Sequence, residues 1–424
     1  MRTLRSLTQL TLLALAIAVA SGRAAAQPSP APAADPARLR GDVATLAQDA
    51  WEGRGTGTPG NDSAATWIAA RFAALGLQPV VPGYLQRFTA RPSAHGPNGP
   101  GLPTQNVVAL LPGSDPTLRD EIVVVGAHFD HLGRGTGGAL DPDAGDAIRN
   151  GADDNASGTA AVLELARMLR AAPPRRSVLF ALFSGEELGL LGSQYLVEHA
   201  PVPVDRMVAM VNFDMVGRLR ANKLIVYGVE TAREMRALVD SANQGALDIR
   251  GVGDGFGPSD HSSFYARGMP VLHLFTDLHD DYHRTTDDVE RIDAAGMARV
   301  VDFAARTVRR IADRPARLTY VRSEAPRAAS SSRSGGPQPS LGTIPDMAAG
   351  DVPGLRLTGV RAGGAGDQAG LKAGDVVVEF DGKTVTDLQS YSDALYARKP
   401  GDEVVIVVLR DGRRVTVRAT LGQR

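Results

Sequence analysis

Residues 122–130 read Ile-Val-Val-Val-Gly-Ala-His-Phe-Asp, an apolar run that ends on an imidazole and a carboxylate. Three later runs are also mainly apolar and are closely followed by acidic or imidazole residues, at 178–183, 207–213 and 269–275. None of them alternates polar with apolar residues, as a strand with one face in water does. Each run is therefore predicted to be a strand that is covered on both faces.

Helical patterns separate these runs. Apolar residues recur at helical spacing within 63–75 and 156–169, and 190–199 is also predicted to be a helix. Strands that alternate with helices predict an α/β body, with a mostly parallel central sheet and helices on both of its faces. Ligands of such sheets bind beyond the carboxyl ends of the strands. The side chains that follow the four runs are therefore expected to meet at one edge of the sheet.

Composition excludes several classes of protein. The 424 residues are 43% hydrophobic and 22% charged, which is globular and excludes a collagen-like fibre or a polytopic membrane protein. The 46 basic and 47 acidic residues nearly cancel, so we expect no nucleic acid as a partner. The chain has no cysteine, which excludes disulfides, thiolate nucleophiles, cysteine-ligated metals and a lipoprotein anchor.

The N-terminus has the pattern of a secretory signal. Arg2 and Arg5 precede an apolar run over 10–20, and small residues follow at 24–26. The apolar run is shorter than the about 20 residues that a membrane span needs. We therefore predict a signal peptide over 1–26, a flexible leader over 27–39, no stable membrane anchor, and a periplasmic or secreted protein.

Acidic and imidazole residues cluster after the four runs and in one turn. They are His128, Asp130, Asp153, Asp154, Glu186, Glu187, Asp214, Asp281 and His283. Imidazoles together with carboxylates suit a pair of borderline cations, zinc first. Two ions about 3.5–4 Å apart need one shared carboxylate, and the water between them needs a free carboxylate as its base. The Glu186–Glu187 pair could supply one ligand and one base, although either residue alone would be typical of a solvated helix start.

The motifs resemble the co-catalytic di-zinc metallopeptidases of the bacterial leucyl aminopeptidase and aminopeptidase Y type. The similarity extends over about residues 40–313. The matching segments are 127–130, 151–158, 184–189, 212–215, 259–261 and 281–283. Their order along the chain is that of the family.

The resemblance implies a role for each matched residue. The implied metal ligands are Asp154, shared by two zinc ions, His128 and Asp214 at one ion, and Glu187 and His283 at the other. Glu186 would be the general base, Asp130 would orient His128, and Tyr282 is a candidate donor to the oxyanion. Members of the family often have a cis peptide after the shared aspartate.

Other polar residues near these motifs are not expected to be ligands. Asp153 is expected to be unligated, and His131 is expected to be exposed near the rim. Structural or rim positions are expected for His261, His273 and His279. Asp260 is expected either to order the wall of the site or to cap a helix. The glycine-rich insertion over 132–149 is either a mobile surface loop or a gate.

The C-terminal part has a different pattern. A stretch rich in serine, glycine and proline precedes it, and strand-like runs lie at 376–380 and 404–409. Residues 369–377 resemble the signature of bacterial PDZ domains, and their carboxylate-binding loop corresponds to Leu341, Gly342, Thr343 and Ile344. We therefore predict a catalytic domain over 40–320, a linker over 321–339 and a PDZ domain over 340–424. The PDZ domain either binds a peptide C-terminus or only packs on the enzyme.

The sequence favours an exported zinc aminopeptidase that acts on peptides. A second reading is another enzyme of the same fold that acts on an amide, such as a carboxypeptidase, a dipeptidase or a glutaminyl cyclase, the last with one zinc. A third reading is a PDZ-type binding protein on an inactive peptidase scaffold. The number of bound ions, which could be two, one or none, discriminates the second and third readings.

Overall fold

The computed structural model describes residues 32–92, 100–135, 138–322, 339–345, 354–360, 363–386 and 388–423. The predicted signal peptide, the first part of the leader and most of the linker lie outside the described residues. Within these ranges, none of the helices combines the length and the apolar character that crossing a bilayer requires.

The larger part of the chain alternates helices with strands. Its helices are α1 (Pro36–Leu46), α2 (Pro59–Ala74), α3 (Gly158–Ala171), α4 (Leu191–Glu198), α5 (Met235–Asn243), α6 (His261–Tyr265) and α7 (Ala294–Ala312). Its strands are β1 (Gln78–Pro79), β2 (Leu85–Ala90), β3 (Leu102–Leu111), β4 (Ile122–His128), β5 (Ser177–Phe183), β6 (Met207–Phe213), β7 (Lys223–Tyr227), β8 (Asp248–Val252) and β9 (Val271–Phe275).

These strands form one sheet in the order β1-β3-β5-β4-β6-β9-β7-β8, with β2 also paired to β3. The four strands predicted from the apolar runs are its adjacent centre, β5-β4-β6-β9, and they pair in parallel. Outside this centre the sheet is mixed, because β3 runs antiparallel to β5 and β7 antiparallel to β9. The predicted α/β fold is confirmed, with parallel pairing concentrated where the site residues leave the sheet.

Apolar side chains cover both faces of the sheet. Val123 and Val125 of β4 face a core shared with α1, α2, α3, α5 and α7. Val124, between them, faces a second core that includes residues of α4 and α6. A strand buried on both sides has no polar face, which explains why the sequence of β4 does not alternate.

Among the boundaries that differ from the predicted ones, two have a clear local reason. The last predicted strand begins at Val271 and not at 269, since Pro270 has no N–H to donate to a sheet ladder. Helix α1 begins at Pro36, inside the predicted leader. The Asp35 carboxylate accepts from the first amides of this helix, and Leu39 is fully buried.

The C-terminal part has its own apolar core. Its strands are β10 (Pro339–Ser340), β11 (Thr343–Pro345), β12 (Leu355–Val360), β13 (Val376–Phe380), β14 (Lys383–Thr384), β15 (Glu403–Arg410), β16 (Arg413–Thr420) and β17 (Gly422–Gln423), with helices α8 (Ala365–Gln368) and α9 (Leu388–Tyr396). The antiparallel order β11-β12-β13-β15-β16 encloses side chains such as Leu341, Phe380 and Ile406. Both predicted strands of this region are present.

Candidate metal centre

The carboxyl ends of the central strands bring the predicted residues together. His128 is the last residue of β4, and Asp214 directly follows β6. Glu186 and Glu187 come after β5, which is the other parallel neighbour of β4. Because parallel neighbours end at the same edge of a sheet, these side chains share one site.

His128 marks one side of the site. Its Nε2 lies 3.4 Å from Oδ1 of Asp154 and 3.3 Å from Oδ1 of Asp214. Oε2 of Glu186 is more distant, at 3.9 Å from the same nitrogen. The three carboxylates and the imidazole surround a point that a cation could occupy.

His283 marks the other side. Its Nε2 lies 3.1 Å from Oδ2 of Asp154 and 3.2 Å from Oε2 of Glu187. The two oxygens of Asp154 thus face two different imidazoles. This is the arrangement needed for a carboxylate that is shared by two cations.

An irregular turn presents Asp154 to both sides. The Asp154–Asn155 peptide is cis, as the resemblance implied. The amides of Asp153 and Asp154 both donate to Oδ2 of Asp287, at 3.0 Å. The Asn155 side chain donates to the carbonyl of Phe213 at 3.0 Å, which ties the turn to the end of β6. The shared carboxylate is therefore fixed by its own backbone.

Asp130 connects His128 to the Glu186 backbone. Nδ1 of His128 lies 3.2 Å from the Asp130 carbonyl and 3.7 Å from its Oδ1. The same carboxylate accepts from the Thr56 hydroxyl at 2.8 Å and from the Glu186 amide at 3.2 Å. Asp130 thus contacts the imidazole mainly through its carbonyl, and its side chain holds the start of the Glu186–Glu187 segment.

Arg54 is a central residue that the sequence analysis missed. Its guanidinium is completely buried and donates at 2.7 Å to the carbonyls of Leu46, Phe129 and Asn150, and at 3.0 Å to that of Gly151. Burial lowers the pKa of Arg54 to about 10, while nearby carboxylates oppose that shift. The guanidinium remains charged at neutral pH, where it fixes backbone on either side of the metal-site residues.

The expectation that His131 is exposed near the rim is wrong. The residue is 1% exposed, and its Nδ1 lies 2.8 Å from Oε1 of Glu187. A parallel bridge between the backbones of His131 and Gly55 draws the chain inward after β4. The signal available in the sequence was its position, three residues beyond His128 in a segment that was already assigned to the site.

The other polar residues near the site make contacts within the fold, as the sequence analysis expected. Asp153 accepts from the Gly217 amide at 2.7 Å and lies 3.0 Å from Nε2 of His279, so both of its oxygens are engaged away from the site. His261 and His273 are buried and stacked, with ring centroids 4.4 Å apart. Burial lowers the pKa of His273 to about 4. Asp260 precedes α6 without capping it through its side chain.

The two adjacent glutamates have opposite pKa shifts. Burial raises the pKa of Glu186 well above its usual range, and the neighbouring carboxylates of Glu187 and Asp214 add to the rise. Burial acts in the same direction on Glu187, but the imidazoles of His283 and His131 outweigh it and hold its pKa well below the usual range. Opposed pKa values in one pair are typical of one ionised group and one proton carrier.

The donor atoms fit zinc. Imidazole nitrogens and carboxylate oxygens converge in two groups that share Asp154, and zinc accepts both kinds of ligand. The cavity over these atoms continues along a mainly apolar wall. The wall residues are Met215, Tyr227, Pro258, Phe275, Leu278 and Tyr282. Tyr282 also stacks on His283, with ring centroids 3.8 Å apart.

An α/β sheet with paired carboxylate and imidazole groups at its carboxyl edge is an arrangement typical of metal-dependent hydrolases. Residues 106–308 match the model of peptidase family M28, and residues 339–421 match that of the PDZ domain. Residues 106–308 therefore resemble a peptidase family M28 domain, and a segment that resembles a PDZ domain follows them.

Named relatives agree with this assignment. Leupeptin-inactivating enzyme 1 of Streptomyces exfoliatus is 30% identical over 253 residues, covering 59% of this chain and 50% of that protein. Aminopeptidase YwaD of Bacillus subtilis is 28% identical over 222 residues, covering 48% and 44%. The chain thus spans about half the length of these curated relatives. The solved zinc aminopeptidase of Bacillus subtilis has the same fold, with a TM-score of 0.54, 18% identity, and coverage of 66% of this chain and 95% of that chain.

Proposed function

We propose that this protein is an exported aminopeptidase that removes N-terminal residues from peptides with the help of two zinc ions. The single observation that carries the proposal is the position of Asp154, whose two oxygens face His128 and His283 separately. Asp214 completes the first group and Glu187 the second. Glu186 is then the one glutamate of its pair that is left free to carry a proton.

The roles follow from the contacts of each residue. Zinc ions held by these ligands would lower the pKa of the water between them and polarise the carbonyl of the bond to be cut. Glu186 would take a proton from that water and deliver it to the leaving amine. Burial raises the pKa of its carboxyl above the usual range, which favours holding the proton between these two transfers. Asp130 keeps the ring of His128 in place through its carbonyl.

We propose that Tyr282, which lines the cavity and stacks on His283, stabilises negative charge on the substrate oxygen. Burial raises the pKa of its phenol well above the usual range, and the site carboxylates add to that effect. The hydroxyl therefore stays protonated and can donate a hydrogen bond. The apolar wall beside it, with Phe275 and Leu278, suits an apolar side chain at the N-terminus of the substrate.

The preference for an aminopeptidase over the other amide hydrolases is supported by the named relative from Bacillus subtilis. The test is product analysis by mass spectrometry on one leucine-initiated peptide, supplied with a free or an acetylated N-terminus. We expect trimming of the free form only. Cleavage of both forms would indicate a carboxypeptidase or an endopeptidase, and cleavage of neither would favour the inactive-scaffold reading.

The PDZ domain is proposed to bind the C-terminus of peptide substrates. Among the described residues, β11 is an edge strand that pairs only with β12, and the Leu341–Gly342 loop precedes it. An added peptide strand would extend the sheet there. The Thr343 hydroxyl lies 2.6 Å from that of Tyr391 on α9 and so ties the helix to this edge. Amidation of the substrate C-terminus should raise KM several-fold, and an unchanged KM contradicts the proposal.

Export also remains a proposal. It rests on the signal-like pattern over residues 1–26. The measurement is N-terminal sequencing of the protein from the culture medium and the periplasm. We expect the mature chain to begin at Gln27, whereas an intact Met1 in the cytoplasmic fraction would contradict it.

A further inference from the structure

His131 is a third imidazole at the metal centre, with no role in the proposed ligand set. Its ring is buried edge-on to that of His283, with centroids 5.6 Å apart. Nδ1 lies 2.8 Å from Oε1 of Glu187 and 3.8 Å from Oδ2 of Asp154. Nε2 is buried and has no hydrogen-bond partner in the part of the chain that the structure describes.

The Glu187 carboxylate is divided between two imidazoles. Oε1 faces Nδ1 of His131, whereas Oε2 lies 3.2 Å from Nε2 of His283. Oδ2 of Asp154 lies 3.1 Å from that same His283 nitrogen. Only Oε2 of Glu187 is thus directed toward Nε2 of His283 and Oδ2 of Asp154, the two other atoms that could bind a cation on this side.

The hydrogen on His131 can be assigned from its surroundings. An ionised carboxylate accepts hydrogen bonds and cannot donate, so the 2.8 Å contact requires the proton on Nδ1. The ring is also confined, because a Cβ built on Gly151 would come within 2.4 Å of its Cγ.

We propose that His131 is a positioning residue that donates from Nδ1 to Oε1 of Glu187 and so presents Oε2 alone to the zinc ion on the His283 side. The inference rests on the proposed zinc centre. Partners of this kind around metal ligands are worth about 10–100-fold in metal affinity. Removing the donor should therefore weaken one ion and leave the ion on the His128 side unchanged.

Two substitutions of His131 distinguish a role of its Nδ1 from a role of its Nε2. The side-chain amide of His131→Asn can place its N–H near the position of Nδ1, whereas that of His131→Gln reaches toward the position of Nε2. We expect His131→Asn to bind both ions within about twofold of the wild type, and His131→Gln to lose one ion with about 10–100-fold lower affinity. Zinc content by mass spectrometry after dialysis against graded chelator gives both affinities.

Control variants and a control on the wild type distinguish this loss of zinc affinity from a folding defect and from a failure of the proposed zinc-dependent function. The exposed His199 is changed to Asn and to Gln in parallel, and thermal unfolding is recorded for every variant. An equal loss of zinc affinity in His131→Asn and His131→Gln would overturn the proposal, because it would indicate that His131 binds the metal directly. Two tightly bound ions in both variants would also overturn it, because His131 would then have no role in metal binding. A wild-type protein that binds no zinc would instead overturn the proposed function.

Discussion

The two sides of the metal centre are held in different ways. On the first side, His128 ends a central strand and is 1% exposed, with β-sheet partners on both sides of β4. On the second side, His283 belongs to an irregular segment after β9, has a positive φ of 55°, and its side chain is 13% exposed. The sheet ladder therefore fixes the first imidazole, and other contacts must fix the second.

The insertion over 132–149 supplies those contacts. Nδ1 of His283 lies 3.0 Å from the carbonyl of Gly138, and the Leu140 amide donates to the His283 carbonyl at 3.0 Å. Asp141 accepts from the amide and the hydroxyl of Thr285 at 2.8 and 2.9 Å. These bonds favour a positioning role for a segment that the sequence left open as a gate or a surface loop. The second side depends on a few individual hydrogen bonds and not on a sheet ladder, so single substitutions should affect it selectively.

The largest effect is expected at Glu186, whose Oε2 lies 3.9 Å from Nε2 of His128. Glu186→Gln should lower kcat by about 10²–10⁴-fold, because the amide cannot take a proton from water. Zinc content should stay at two ions per chain, since the proposed ligands are untouched. Geometry alone would also allow Glu186 to act as a ligand beside His128 and Asp214. Loss of one ion in the variant would support that reading, and near wild-type turnover would contradict the role as a base.

The next effect concerns Arg54, whose buried guanidinium holds backbone on both sides of the centre. Arg54→Met should lower the free energy of unfolding by about 3–5 kcal/mol, because it removes a buried cation and leaves four carbonyls without their donor. Urea unfolding measures this change.

Arg54→Lys serves as a partial rescue, because it keeps the charge but cannot reach all four carbonyls. Arg134→Met is the matched surface control, since Arg134 is exposed and its ion pair with Glu52 is worth about 0–1 kcal/mol. A loss at Arg54 no greater than at Arg134 would show that the buried contacts do not stabilise the fold.

The local sequence pattern was sufficient to predict the strands at the centre of the sheet. The run over 207–213 became β6 with both bounds as predicted, because a mainly apolar run between Arg206 and Asp214 has the length of a strand and is too short for an ordinary helix. The resemblance also identified side chains that meet in the structure, such as His128, Asp154 and His283. Only His128 of these three ends a strand, so the resemblance, and not the strand pattern, predicted that Asp154 and His283 belong to the site.

Contacts between distant loops could not be predicted. Arg54 has a positive φ of 54° in a glycine-rich segment, a pattern typical of an exposed turn. Its burial depends on carbonyls from three other segments, which no local pattern reveals. The burial of His131 likewise depends on its bridge to Gly55. In both cases the decisive partner is remote in sequence, and the chemistry of the residue alone favours the surface.

The smallest effect should appear at Thr285 and should be confined to the His283 side. Thr285→Val removes the hydroxyl that donates to the Asp141 carboxylate. The hydrogen bond from the backbone amide of residue 285 to the same carboxylate remains, so one of the two hydrogen bonds is lost. A single hydrogen bond is worth about 1 kcal/mol, which corresponds to about fivefold weaker binding of one zinc ion. Competition with a chelator should show this shift for one ion only, and Thr285→Ser should behave as the wild type. If both ions weakened equally, the two sides would not be independent, and the insertion would support the whole centre.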